Sequence, residues 1–69
     1  MTLTVEFDRE DDGRWMADIP ELPGVGAYGA TREEALARVK AVALETLVAR
    51  AEEGTPIDDS ITFAVADAA

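Results

Sequence analysis

Apolar and polar residues alternate from the start of the chain. Leu3, Val5 and Phe7 stand between Thr2, Thr4, Glu6 and Asp8, the period-two pattern of a strand with one buried face. REDDGR, Arg9 to Arg14, interrupts it, with Asp12-Gly13 as a hairpin signal. Trp15, Ala17 and Ile19 then alternate with Arg14, Met16 and Asp18. A second strand therefore returns antiparallel to the first, with Trp15 expected in the core.

Pro20 and Pro23 cannot donate to a sheet ladder, so PELPG leaves the second strand and turns, with Gly24 free to take a positive φ. VGAYGA, Val25 to Ala30, is long enough for a short third strand. Gly26 and Gly29 within it mark either a bulge or close backbone approach, or else simple turn positions. Thr31-Arg32-Glu33-Glu34 is a capping box, the Thr31 hydroxyl accepting from the amide of Glu34 and the Glu34 carboxylate reaching back to the amide of Thr31. A helix should follow to Glu53, stopped by Gly54 and Pro56. Ile61, Phe63 and Val65 alternate with Thr62 and Ala64 in a last strand, and ADAA trails as a loose tail. The expected elements are strands at about 2–8, 14–19, 25–29 and 60–65 and a helix at about 32–53. The fold class is α+β in the order β-β-β-α-β, an antiparallel three-stranded meander, one long helix and a final strand. One sheet against one helix is how so short a chain covers its apolar faces.

On the helix, Ala35, Leu36, Val39, Val42, Ala43 and Leu47 share the face expected to pack on the sheet. Ala37, Ala41, Leu44, Val48 and Ala51 form a second, heptad-like stripe. That stripe is either a self-association seam, an extension of a broad face sunk against the sheet, or a set of alanines chosen for helix propensity.

Sixty-nine residues make one domain, and a chain this small buries only about 60% of its unfolded surface. It has no cysteine and no histidine, so neither a disulfide nor a histidine- or cysteine-built zinc site staples it. With 48% apolar residues it is too hydrophobic for a disordered tail. Marginal size makes a partner or a homo-oligomer, dimer or tetramer, an expectation. The N-terminus has no basic and apolar leader pattern, and no apolar run reaches spanning length, so a cytoplasmic protein without a membrane partner is expected. Fifteen acidic residues against six basic ones give a net charge of −9. Such a surface repels a phosphate backbone, which disfavours direct nucleic-acid binding, and attracts a basic protein, although acidity also serves solubility alone.

Catalysis finds little to work with. Glu6, Asp8 and Asp18 fall on neighbouring strands and could in principle hold a divalent ion, but a turn at Asp12-Gly13 puts Asp8 and Asp18 at opposite ends of the pairing. Ser60 has no histidine for a base. No catalytic residue, metal site or cofactor is expected, and the chain is read as a non-enzyme.

EDDGRWMADIPELPGVGAYGATREEALARVKAVALETL resembles the core of the HicB antitoxin family: an acidic or glycine turn, an aromatic strand, P-x-L-P-G, a glycine before a threonine cap, and EEA opening the helix. The likeness covers roughly Val5 to Phe63. It implies a partial RNase H-like fold, with the element order already derived from the residues. It also implies a function, the binding and occlusion of a small basic HicA-type ribonuclease toxin. Many members of that family continue into a DNA-binding segment. This sequence ends at Ala69, so operator binding is not expected of it.

For such a partner the acidic contributors are Asp8, Glu10, Asp11, Asp12 and Glu21, with Leu22, Pro23 and Tyr28 as apolar anchors at the margin. Asp11 and Asp12 serve equally as a solvated hairpin tip, and Leu22 and Pro23 as covers for the edge of the core. An alternative function is a self-associating module built on the Ala37, Ala41, Leu44, Val48 and Ala51 stripe.

Overall fold

The computed structural model describes residues 1–66. Strands β1 (Thr2–Arg9), β2 (Trp15–Asp18) and β3 (Gly26–Gly29) precede helix α1 (Arg32–Glu52), and β4 (Thr62–Val65) closes the order β-β-β-α-β. They form one four-stranded sheet in the order β3-β2-β1-β4. The first three strands are the antiparallel meander, whereas β4 lies parallel to β1. The last strand thus docks beside the first. The amide of Thr62 donates to the Met1 carbonyl at 2.9 Å and the amide of Ala66 to that of Val5 at 2.9 Å. The N-terminal ammonium joins the same seam, donating to the Ser60 carbonyl at 2.6 Å and pairing with Asp58 at 3.1 Å.

Turn chemistry sets the connections. The Glu10 amide donates to Arg14 at 2.8 Å and Gly13, at φ 91°, donates back to Glu10 at 2.9 Å. Between β2 and β3, Gly24 takes the expected positive φ of 90°. Strand β2 is shorter than the alternation suggests, because Arg14 is held in the turn and Ile19 opens the next loop, its amide donating to Val25 at 3.3 Å. The last strand begins at Thr62, two residues later than expected. Of the tail expected at 66–69, all but Ala66 lies outside the described residues.

The helix starts where the sequence places it. Thr31 is the N-cap, its hydroxyl accepting from the Glu34 amide at 3.1 Å. The return arm of the box differs: the Glu34 carboxylate accepts from the amide of Ala30 at 3.1 Å, one residue before the cap. Gly54, at φ 107°, follows the last turn. Ala35, Val39, Ala43 and Leu47 are the buried helical residues, spaced by four, with Leu36 and Val42 half-buried beside them. They meet Leu3 and Val5 of β1, Ala17 of β2 and the loop residues Ile19, Leu22 and Val25 in a core without a buried polar or charged side chain among the described residues. Trp15 is half-buried at the margin of that core, edge-on to Phe7 with ring centroids 6.4 Å apart and Arg9 over its face.

Gly29 decides between the two roles open to it. It is buried, and a methyl group there would meet the Ala35 backbone nitrogen and lie 2.9 Å from the Glu34 carbonyl carbon. Close approach of β3 to the first turn of α1 is what requires the glycine.

Candidate functional site

Helix α1 covers one face of the sheet and leaves the other open. Alternation assigns Leu3, Val5, Phe7, Trp15 and Ala17 to the covered face and Thr2, Thr4, Glu6, Asp8, Met16, Asp18 and Tyr28 to the open one. The register then brings specific side chains together. Glu6 stands directly opposite Asp18, Asp8 opposite Met16, and Met16 opposite Tyr28. Two carboxylates face each other across neighbouring strands, an arrangement that is mildly unfavourable by itself.

Charge is unevenly distributed. Residues 1–31 hold seven acidic residues and two basic ones, whereas α1 holds four of each. Of the two cations in the first part, Arg9 lies over Trp15 on the covered side. Arg14 is at the open face but engaged, its Nε donating to Asp12 at 2.7 Å and its guanidinium 4.6 Å from the Tyr28 ring centroid. Glu6, Asp8 and Asp18 make no ion pair among the described residues.

The expected acidic residues separate into three groups. Asp8 is exposed on the open face. Glu10, half-buried, and Asp11 and Asp12, both exposed, form the hairpin tip. There the Arg14 amide, and next its side chain, hold the Asp12 carboxyl below its ordinary value. Glu21 is built into the sheet's end: its carboxylate accepts from the Thr4 hydroxyl at 2.7 Å and the Thr4 amide at 2.9 Å. Those two bonds, the hydroxyl's foremost, lower its pKa. With Pro20 ending β2, the carboxylate takes the acceptor role that a further ladder residue would fill.

The apolar expectations divide likewise. Tyr28 is 44% exposed on the open face, and Pro23 is exposed at the β2–β3 loop. Leu22 is a correction: at 2% exposure it is a core residue, inserted beside Ile19 and Val25, and is not an anchor for a partner. Ala37, Ala41, Leu44 and Val48 are exposed and Ala51 half-buried, so the second helical stripe faces outward.

Glu6, Asp18 and Met16 belong to the open face but were expected only as possible metal ligands or strand residues. Their signal was the alternation itself, which places them beside Asp8 and Tyr28. The expected separation of Asp8 from Asp18 is smaller than it looks, since Asp8 is a single alternate position from Glu6, which faces Asp18. No group of three or more carboxylates is arranged to hold a metal among the described residues. None of the described helices is long and apolar enough to cross a membrane.

No family model matches this chain, and no solved structure does. A curated relative is the UPF0150 protein Ta0767 of Thermoplasma acidophilum, 38% identical over 40 residues. The match covers 58% of this chain, which spans 58% of that relative's length. The chain is thus a weak homologue of a UPF0150 protein.

Proposed function

We propose that this protein is an antitoxin-like inhibitor that binds a small basic ribonuclease of the HicA type and occludes its RNA-binding surface. The observation that carries this reading is the open sheet face, where Glu6, Asp8 and Asp18 make no ion pair among the described residues and Met16 and Tyr28 supply apolar surface among them. A basic partner relieves the opposition of Glu6 and Asp18 on docking, so the face is complementary to Lys and Arg and not to phosphate. The resemblance through PELPG and TREEA supports the same reading. The test is purification of the tagged protein from its native cells at low salt. The expected product is a small basic protein whose ribonuclease activity is suppressed in the complex and returns on dissociation by salt. With that partner in hand, Glu6→Lys with Asp8→Lys should weaken binding at least about tenfold, one to two charge pairs being lost. Unchanged affinity at low salt removes this face from the interaction.

The outward stripe on α1 favours self-association as a second reading. Leu44 is 44% and Val48 51% exposed, and α1 carries as many basic as acidic residues. Two chains of net charge −9 repel least where they are locally neutral, so a second copy approaches best along this helix. Sedimentation equilibrium should give an oligomer that Leu44→Glu converts to monomer. A wild-type monomer at high concentration excludes it.

A further inference from the structure

The loop between β2 and β3 and the open face beneath it border an open-sided cavity of ≈310 Å³. This is at the lower end of the range for ligand sites, about 300 Å³ and upward, so it suits a side chain better than a cofactor. Pro20 and Pro23 wall it, Met16 and Gly26 lie toward the sheet, and Asp18 is the one charged residue lining it among the described residues.

The cavity is preformed. Leu22 pins the loop from inside at 2% exposure. The Leu22 amide donates to Ile19 at 2.9 Å and the Val25 amide to Leu22 at 3.0 Å. Glu21 holds the loop to β1 through Thr4. Gly26 makes room for the Met16 side chain that forms the floor, since a methyl group at position 26 would lie 3.1 Å from the Met16 methyl and 3.3 Å from the Ala17 carbonyl oxygen. A loop fixed this way loses little conformational freedom when a ligand enters.

We propose that this cavity receives an arginine side chain of the basic partner, a proposal that rests on the function given above for the identity of that partner. The chemistry of the walls selects the group. A neutral apolar side chain would desolvate Asp18 without pairing it, and an anion would meet Asp18, whose neighbour across the strands is the like-charged Glu6. A cation with an aliphatic stem satisfies both kinds of wall. Guanidinium does so better than ammonium: it is planar and weakly hydrated, it stacks on proline rings and the thioether, and it presents two donors to one carboxylate.

The probe is acetyl-Gly-Arg-Gly-amide, titrated into the 15N-labelled protein and followed by amide chemical shifts. Saturable displacement of the Asp18, Gly24 and Gly26 resonances is expected, with weaker displacement by the lysine tripeptide and none by the citrulline tripeptide, which has the shape without the charge. Asp18→Asn should weaken the arginine peptide about tenfold, as the loss of one charge-assisted pair does. Gly26→Val, which displaces the Met16 side chain from the floor of the cavity, should do at least as much, each variant retaining a dispersed spectrum. Shifts spread over all acidic residues without saturation, or equal affinity in Asp18→Asn, overturn the proposal. The titration needs no partner protein, so it separates this inference from the function on which it rests. A captured ribonuclease that binds Asp18→Asn as tightly as wild type overturns the cavity and leaves the Glu6–Asp8 face standing. Saturable peptide binding without a captured ribonuclease leaves the cavity and removes the antitoxin.

Discussion

The two faces of the sheet are built from alternate residues of the same strands and have opposite characters. On the covered face Leu3, Val5 and Ala17 are at most 1% exposed and pack against Ala35, Val39, Ala43 and Leu47 with no buried polar side chain among the described residues. On the open face Glu6, Asp8 and Tyr28 are exposed and Thr4, Met16 and Asp18 half-buried, with Thr4 bound by Glu21 and Tyr28 under the Arg14 guanidinium. Stability is concentrated on one face and exposed charge on the other. Substitutions on the two faces should therefore separate cleanly into those that change the folding equilibrium and those that change binding.

The largest effect that would test this division is at Gly29. Alanine there drives a methyl group into the backbone of Glu34 and Ala35, and neither a rotamer change nor a flexible neighbour can relieve it. Overpacking of this kind should cost at least about 3 kcal/mol, enough to unfold much of a marginal chain, as loss of amide dispersion or a collapsed urea midpoint would show. A near-wild-type midpoint would mean that α1 can slide on β3. Next is Leu3→Ala. Leu3 is 1% exposed in the strand that pairs with both β2 and β4, and removing its buried methyl groups should cost about 3 kcal/mol by urea denaturation.

The covered face was the legible one. Period-two alternation in β1 and β2 and a four-residue spacing in α1 each mark a side toward the core, and the caps at Thr31 and Gly54 mark the ends of the helix. Local rules ran out where a residue's partner is remote in sequence. The place of β4 beside β1 depends on a crossover that no local pattern encodes. Leu22 lies in a loop with no periodicity, so its burial comes from the way PELPG folds back onto Ile19 and Val25. The opposition of Glu6 and Asp18 follows from the hairpin register, set by a five-residue connection at 10–14. A register shifted by one residue would have sent their side chains to different faces. The chemistry of the open face was therefore visible as residue types and invisible as an arrangement.

A smaller effect comes from an open-face connection that is structural. Glu21 has its pKa lowered from the ordinary 4.5 by the Thr4 hydroxyl and amide. A carboxyl with a depressed folded-state pKa binds fewer protons in the folded chain than in the unfolded one near that pH. Its contribution is complete above 4.5 and is lost as the pH falls through the lower folded value. Asp12, lowered by Arg14, has the same sign. Glu21→Gln keeps an acceptor for Thr4 but removes the charge. Wild type should exceed this variant in urea midpoint at pH 7 and converge with it in strong acid. A constant difference across the range would assign the effect to geometry and not to ionisation.

The smallest effect sharpens the contrast most. Glu6→Gln on the open face removes one of two opposed carboxylates, so unlike any change on the covered face it should leave the chain as stable as before or slightly more so, by roughly 0.3 kcal/mol at low salt. Because the cause is repulsion between exposed groups, the gain should vanish near 1 M salt, where the screening length is about 3 Å. The same substitution should nevertheless slow association with a basic partner, since the field that costs stability is the one that steers the encounter. Urea midpoints of wild type and Glu6→Gln at two salt concentrations measure the first effect, and association rates at the same two concentrations measure the second. Opposite signs that shrink together with salt would identify a single electrostatic origin. A loss of stability beyond about 1 kcal/mol would instead make Glu6 a structural residue and dissolve the division between the two faces.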